Sequence, residues 1–149
     1  TFADLPRPRL AVIAGGNSGP FTLGPRAAAR LGREASQLAR EHGGSVLVST
    51  SSRTSEAAID ALRESIEVPN YFYRWRESDP GNPYFGILAE ADRLIVTGDS
   101  IAMLSEACAT GKPVQMFDLG GMRGDDDSPR DFRLGATLYA LLLIGHGLS

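Results

Sequence analysis

The stretch LAVIAGGNSGPFTLGPRAAARLGREASQLAREHGGSVLVS, residues 10–49, holds a short apolar run, a glycine-rich turn, a long amphipathic segment and a second short apolar run. Leu10 to Ala14 reads as a strand, and it runs into the turn Gly15-Gly16-Asn17-Ser18-Gly19-Pro20. From Pro25 to His42, Ala27, Leu31, Ala35, Leu38 and Ala39 recur at helical spacing, while Arg26, Arg30 and Arg33 gather on another side. Gly43-Gly44 supplies the stop, and Ser45 to Ser49 is the next strand. Strand, crossover helix and strand in this order specify a parallel pairing.

The alternation continues outward from this unit. A helix is expected from Ser55 to Ile66, with Ala58, Ile59 and Leu62 at helical spacing behind a Thr54 or Ser55 cap, and Val68-Pro69 closes it. Tyr71 to Trp75 reads as a third strand, with Tyr71 and Tyr73 as packing residues on one face. Asn82-Pro83 opens a third helix with a cap residue and a first-turn proline. A fourth strand covers Leu94 to Thr97, a fourth helix runs from Asp99-Ser100 to Ala109 and stops at Gly111, and a fifth strand spans Pro113 to Leu119. The expected fold is α/β, a three-layer Rossmann-like domain with a five-stranded, mainly parallel sheet in the order 3-2-1-4-5. Gly120 to Ser128, with Asp125-Asp126-Asp127, reads as a solvated loop, and Phe132 to Ile144 as a last, unusually apolar helix.

Composition sets limits on function. A chain of 149 residues, 42% hydrophobic and 22% charged, belongs to the globular class. Its net charge of -3 does not favour a polyanion such as nucleic acid. The single Cys108 forms no internal disulfide, and His42 and His146 lie too far apart in sequence to suggest a metal site, so no metal is expected and a reducing cytoplasm fits. The longest apolar run, Leu138 to Ile144, is too short to cross a membrane. Thr1 and the proline-punctuated Leu5-Pro6-Arg7-Pro8 read as an interdomain linker. Residues 1–9 are therefore expected to be a linker remnant, and residues 10–149 one domain of a longer two-domain protein.

Ligands of open parallel sheets bind beyond the carboxyl ends of the strands, so the loops there hold the candidates. Gly15, Gly16, Asn17 and Ser18 offer backbone amides for close approach to a phosphate. Arg53, among the hydroxyls of Thr50 to Thr54, suits a phosphate or ribose contact. Thr97, Asp99 and Ser100 bring small polar residues to a helix N-terminus. Glu106 stands in that helix among Leu104, Ala107 and Cys108, where a carboxylate needs a partner that a ribose diol would supply. Met103 and Cys108 are read as core, Lys112 as an ordinary loop residue, and His42 as a helix-end residue.

The segments NPYFGILAEADRLIVTGDSIAMLSEACATGKPV, residues 82–114, and GGNSGPFTLG, residues 15–24, resemble the mitochondrial fission Elm-type family of plants and many bacteria, over about Leu10 to Tyr139. Bacterial members are often labelled nucleoside-diphosphate-sugar epimerases. The region from Ser100 to Pro113 also resembles the donor half of GT-B glycosyltransferases. This resemblance implies that Glu106 holds the nucleotide ribose, that amides at Asp99, Ser100 and Ile101 face the diphosphate, that Gly15 and Gly16 line the donor cleft, and that Asn82 to Tyr84 lie near the base. It further implies a nucleoside diphosphate or nucleotide sugar as ligand, no required cofactor, and an absent N-terminal acceptor domain as partner. A domain of this kind binds without turning over.

Two other readings remain open. An NADP-type epimerase or oxidoreductase would use Arg53 for the 2′-phosphate, although Gly15 to Gly19 lacks the GxGxxG spacing and no acidic residue follows the second strand. A non-enzymatic interaction module, suggested by the family name and with a membrane-associated parent, would use the apolar last helix as its contact surface. Phosphoryl transfer is the least favoured reading, because no GxxxxGK[ST] P-loop is present.

Overall fold

A computed structural model of the chain describes residues 4–15, 23–97 and 101–117. Five strands, β1 (Arg9–Ile13), β2 (Ser45–Ser49), β3 (Asn70–Tyr73), β4 (Arg93–Thr97) and β5 (Val114–Phe117), alternate with four helices, α1 (Pro25–Glu41), α2 (Glu56–Ser65), α3 (Tyr84–Glu90) and α4 (Ile101–Ala109). The sheet order is β3-β2-β1-β4-β5, and all four pairings are parallel. This is the order expected from the sequence.

β1 is central and pairs on both sides, with Val12 beside Val48 on one flank and Ile95 on the other. Its residues are buried throughout, which explains the continuous apolar run in place of an alternating one. Alternate residues feed two cores. Leu10, Val12, Val46 and Val48 pack with Ala27, Leu31, Ala35 and Leu62 of α1 and α2, whereas Ala11, Ile13, Leu47 and Val96 pack with Ile87, Leu88, Leu104 and Ala107 of α3 and α4. The three layers follow from this division.

Local signals set the ends of the elements. Pro25 starts α1, and Gly43, at φ 68°, ends it with its N–H on Arg40 O. Ser55 caps α2, its hydroxyl accepting from Ala58 N at 3.2 Å. The third helix starts one residue later than expected: Pro83 holds the cap position, and Asn82 Oδ1 accepts from Tyr84 N at 3.0 Å from just outside. β3 ends at Tyr73, two residues short of the expected Trp75, with a last backbone bond from Thr50 N to Tyr73 O at 3.1 Å. Trp75 N instead donates to Thr50 Oγ1 at 2.8 Å. Tyr73 is buried and Tyr71 packs against the α3/α4 core, as read from the sequence.

At the amino end, β1 takes in Arg9, and the residues before it are held against the domain. Ser45 N donates to Pro8 O at 3.1 Å, and Ser45 Oγ donates to Pro6 O at 2.7 Å. The expected loop at 120–128 and last helix at 132–144 lie outside the described residues.

Candidate functional site

A cleft of about 340 Å³ opens at the carboxyl ends of β1 and β2, on the α3/α4 side of the sheet. This is where the architecture predicts a ligand. Ser49, Thr50 and Ser51 form a hydroxyl wall, and Trp75, Tyr84 and Phe85 form an aromatic one. Asn82 and Glu106 add polar groups, and Ile13 and Met103 add apolar surface. Trp75 and Phe85 are 37% and 69% exposed, large values for side chains that would otherwise seek the core. Glu106 is the only charged residue lining the cleft among the described residues.

Tyr84 and Glu106 reach one another from α3 and α4, with the Tyr84 hydroxyl donating to Glu106 Oε1 at 2.8 Å. Burial, and then the hydrogen bond and charge of Glu106, push the Tyr84 phenol well above its usual range, so it remains a donor. An ionised carboxylate has roughly four acceptor sites, so one phenol leaves most of its capacity available. Lys112, just beyond α4, reaches the last turn of α3: its Nζ donates to Leu88 O at 2.7 Å and Ala89 O at 2.6 Å. It therefore caps the end of α3 and is more than the loop residue read from the sequence.

Behind the cleft, hydroxyls from two flanking elements hold the start of the glycine-rich loop. Gly15 N donates to Thr97 Oγ1 at 2.9 Å, while Thr54 Oγ1 donates to Gly15 O. Ser51 N donates to Thr54 Oγ1 at 3.0 Å, tying the loop after β2 into the same cluster. Thr97 and Thr54 are buried. The structure thus gives Gly15 and Thr97 to each other, as supports at the switch point between β1 and β4.

Of the residues singled out from the sequence, Asn82, Tyr84 and Glu106 meet in the cleft. Gly15 and Thr97 stand together behind it, and Arg53 is exposed on the turn after β2, outside the lining. Gly16, Asn17, Ser18, Asp99 and Ser100 lie outside the described residues, and of Ile101 only the backbone is described. Phe85 and Met103 are absent from that set, and Trp75 reads from the sequence both as an aromatic face at the rim and as part of the Tyr71, Tyr73, Trp75 alternation of one strand face. Phe85 had a usable signal, an aromatic in the first turn of α3 two residues ahead of the buried Ile87-Leu88 pair. Met103, a core residue by its sequence spacing, does pack against the α3/α4 cluster, and it also reaches the cleft.

Among the described residues, no group of three or more His, Cys, Asp or Glu side chains is placed to hold a metal, and no helix is long and apolar enough to cross a membrane.

The family model described as mitochondrial fission ELM1 matches residues 1–133. Mitochondrial fission protein ELM1 of Arabidopsis thaliana is 32% identical over 120 residues, covering 76% of this chain and 26% of that protein. Uncharacterized protein RP120 of Rickettsia prowazekii (strain Madrid E) is 31% identical over 108 residues, covering 72% of this chain and 30% of that protein. The aligned part of the chain thus spans less than a third of the length of either relative. With a match over most of its length, and with the segments that form the cleft inside that match, this chain belongs to the mitochondrial fission ELM1 family.

Proposed function

We propose that this domain binds a nucleoside diphosphate, carried as a nucleotide sugar, and serves as the donor half of a GT-B-like, glycosyltransferase-related protein whose acceptor half is a separate N-terminal domain. The observation that carries the reading is the Tyr84–Glu106 pair at the carboxyl ends of the strands, a carboxylate oriented by one phenol with acceptor capacity left for a ribose diol. The exposed face of Trp75 offers a stacking surface for a base, an interaction worth about 1–3 kcal/mol in nucleic-acid sites. The cleft lining has no cation among the described residues, which suits the neutral nucleoside better than the diphosphate. The diphosphate would extend toward the N-terminal end of α4, where helix-end amides and the dipole favour negative charge. In that arrangement the domain positions the donor and stabilises the departing diphosphate, while the base that activates the acceptor comes from the other half.

The test is thermal stability with millimolar UDP, GDP, ADP, a UDP-sugar and NADP. Ligand at about a hundred times its dissociation constant adds roughly 2.7 kcal/mol, a rise of several degrees for a domain of this size. A rise with nucleoside diphosphates that is lost in Glu106→Ala is the expected result. A rise with NADP alone would favour the oxidoreductase reading. The exposed Phe85, which also borders a shallow apolar groove with Leu88 and Ala109, favours one alternative, a non-enzymatic interaction module. That module predicts no response to any nucleotide.

A further inference from the structure

The polar atoms of the cleft are unequally available. Thr50 Oγ1 is committed twice, donating to Tyr73 O at 3.2 Å and accepting from Trp75 N at 2.8 Å. Ser51 Oγ is shared between Thr54 Oγ1 and Arg53 N, both at 3.3 Å. Asn82 differs in that only half of its amide is used. Oδ1 accepts from Tyr84 N at 3.0 Å, and Nδ2 makes no hydrogen bond among the described residues. Only the oxygen of an amide can accept from a backbone N–H, so this contact fixes which end of the group is turned toward α3.

The loop carrying Asn82 is itself held. Asp79 Oδ2 accepts from the Tyr73 hydroxyl at 2.7 Å, Asp79 Oδ1 accepts from Gly81 N at 2.8 Å, and Asn82 N donates to Asp79 O at 3.2 Å. The Tyr73 bond and the Gly81 N–H keep the Asp79 carboxyl below its usual range, so this brace stays ionised at neutral pH. Asn82 is thus a pre-oriented donor at the rim of the cleft, with Glu106 as an acceptor in the same lining.

Resting on the donor-half reading above, we infer that Asn82 selects the base: the cleft prefers nucleotides whose base carries an exocyclic carbonyl, uracil or guanine, over those with an exocyclic amine at the equivalent position, cytosine or adenine. A carbonyl oxygen accepts from Nδ2, whereas an amine facing Nδ2 sets donor against donor. The bidentate Asn–adenine pairing needs the amide oxygen as well as the nitrogen, and here the oxygen is turned to the helix.

The experiment is calorimetric titration of the protein with UDP, CDP, GDP and ADP, for the wild type and for Asn82→Asp. The variant keeps the oxygen that accepts from Tyr84 N and replaces the donor with an acceptor; its melting midpoint is measured alongside, and Asn82→Ser serves as a second variant. UDP is expected to bind about tenfold tighter than CDP, and GDP than ADP, the scale of one hydrogen bond exchanged for a donor–donor contact. Both ratios should fall toward one or invert in Asn82→Asp, and fall in Asn82→Ser. Equal or reversed affinities in the wild type, or ratios unchanged in both variants, would overturn the assignment to Asn82 and leave the donor-half reading standing. No binding of any of the four would overturn both.

Discussion

Tyr84 is held protonated by burial and by the Glu106 carboxylate that its hydroxyl touches, and the same two causes make it sensitive to alkali. Its folded-state pKa lies above the ordinary tyrosine value of 10.0, so the folded protein binds the proton more tightly than the unfolded chain does. Stability is therefore retained below that value and falls as pH rises beyond it. Tyr84→Phe is expected to lower the melting midpoint by a few degrees near neutrality, for a lost hydrogen bond of about 1 kcal/mol, and to flatten the decline above about pH 10. Melting curves across that range check both effects; an unchanged alkaline slope would mean that Tyr84 is not held above its usual range. At this scale the site was only partly legible in the sequence. Glu106 stood out as a carboxylate among Leu104 and Ala107, and Asn82-Pro83 as a helix start. The contact of Tyr84 with Glu106 joins residues 22 apart in sequence and depends on how two helices meet, which no local pattern records.

The helices and strands were more legible than the side-chain contacts, because hydrophobic period and turn chemistry act within a few residues. The β3 end shows the limit of that reasoning: the ladder stops where Trp75 N takes the Thr50 side chain as its partner in place of a backbone carbonyl. The contact between α1 and α2 is another case of tertiary control. Gly32 lies mid-helix, where glycine is unfavourable, yet a Cβ there would collide with the Ser65 side chain and approach Leu62 O at 3.1 Å. Close approach of the two helices also lets Ser36 Oγ accept from Glu67 N at 3.1 Å. Gly32→Ala should therefore destabilise the domain, by about 1–3 kcal/mol, despite its better helix propensity. A denaturant midpoint equal to or above the wild type would show that the two helices can separate without cost.

Across the whole molecule, the parallel sheet divides stability from recognition. Its carboxyl end carries the cleft, while its amino end is closed by a charged cluster centred on Asp92. Asp92 Oδ1 accepts from Arg7 Nη1 at 2.7 Å, Asp92 Oδ2 accepts from the Arg9 backbone N–H at 2.8 Å, and Arg9 Nη1 pairs with Glu90 Oε2 at 3.0 Å. The exposed Arg7 bond contributes little, but Arg9 is buried, and removing Asp92 breaks the hydrogen bond that holds its N–H at the start of the central strand. Asp92→Ala is accordingly expected to cost about 1–3 kcal/mol and to lower the melting midpoint by several degrees. The two ends are separated by the length of β1, about 16 Å at the usual rise per residue, and changes so far apart add independently. Asp92→Ala should therefore keep in full whatever rise in melting midpoint the proposed nucleoside diphosphate ligand gives the wild type. Glu106→Ala loses the Tyr84 hydrogen bond and should cost the unliganded fold about what Tyr84→Phe costs, about 1 kcal/mol, and on the donor-half reading it should lose the nucleotide response as well. Thermal shifts of both variants, with and without ligand, check this separation. Loss of the ligand response in Asp92→Ala, at temperatures where the variant is still folded, would mean that the strands transmit changes from one end to the other.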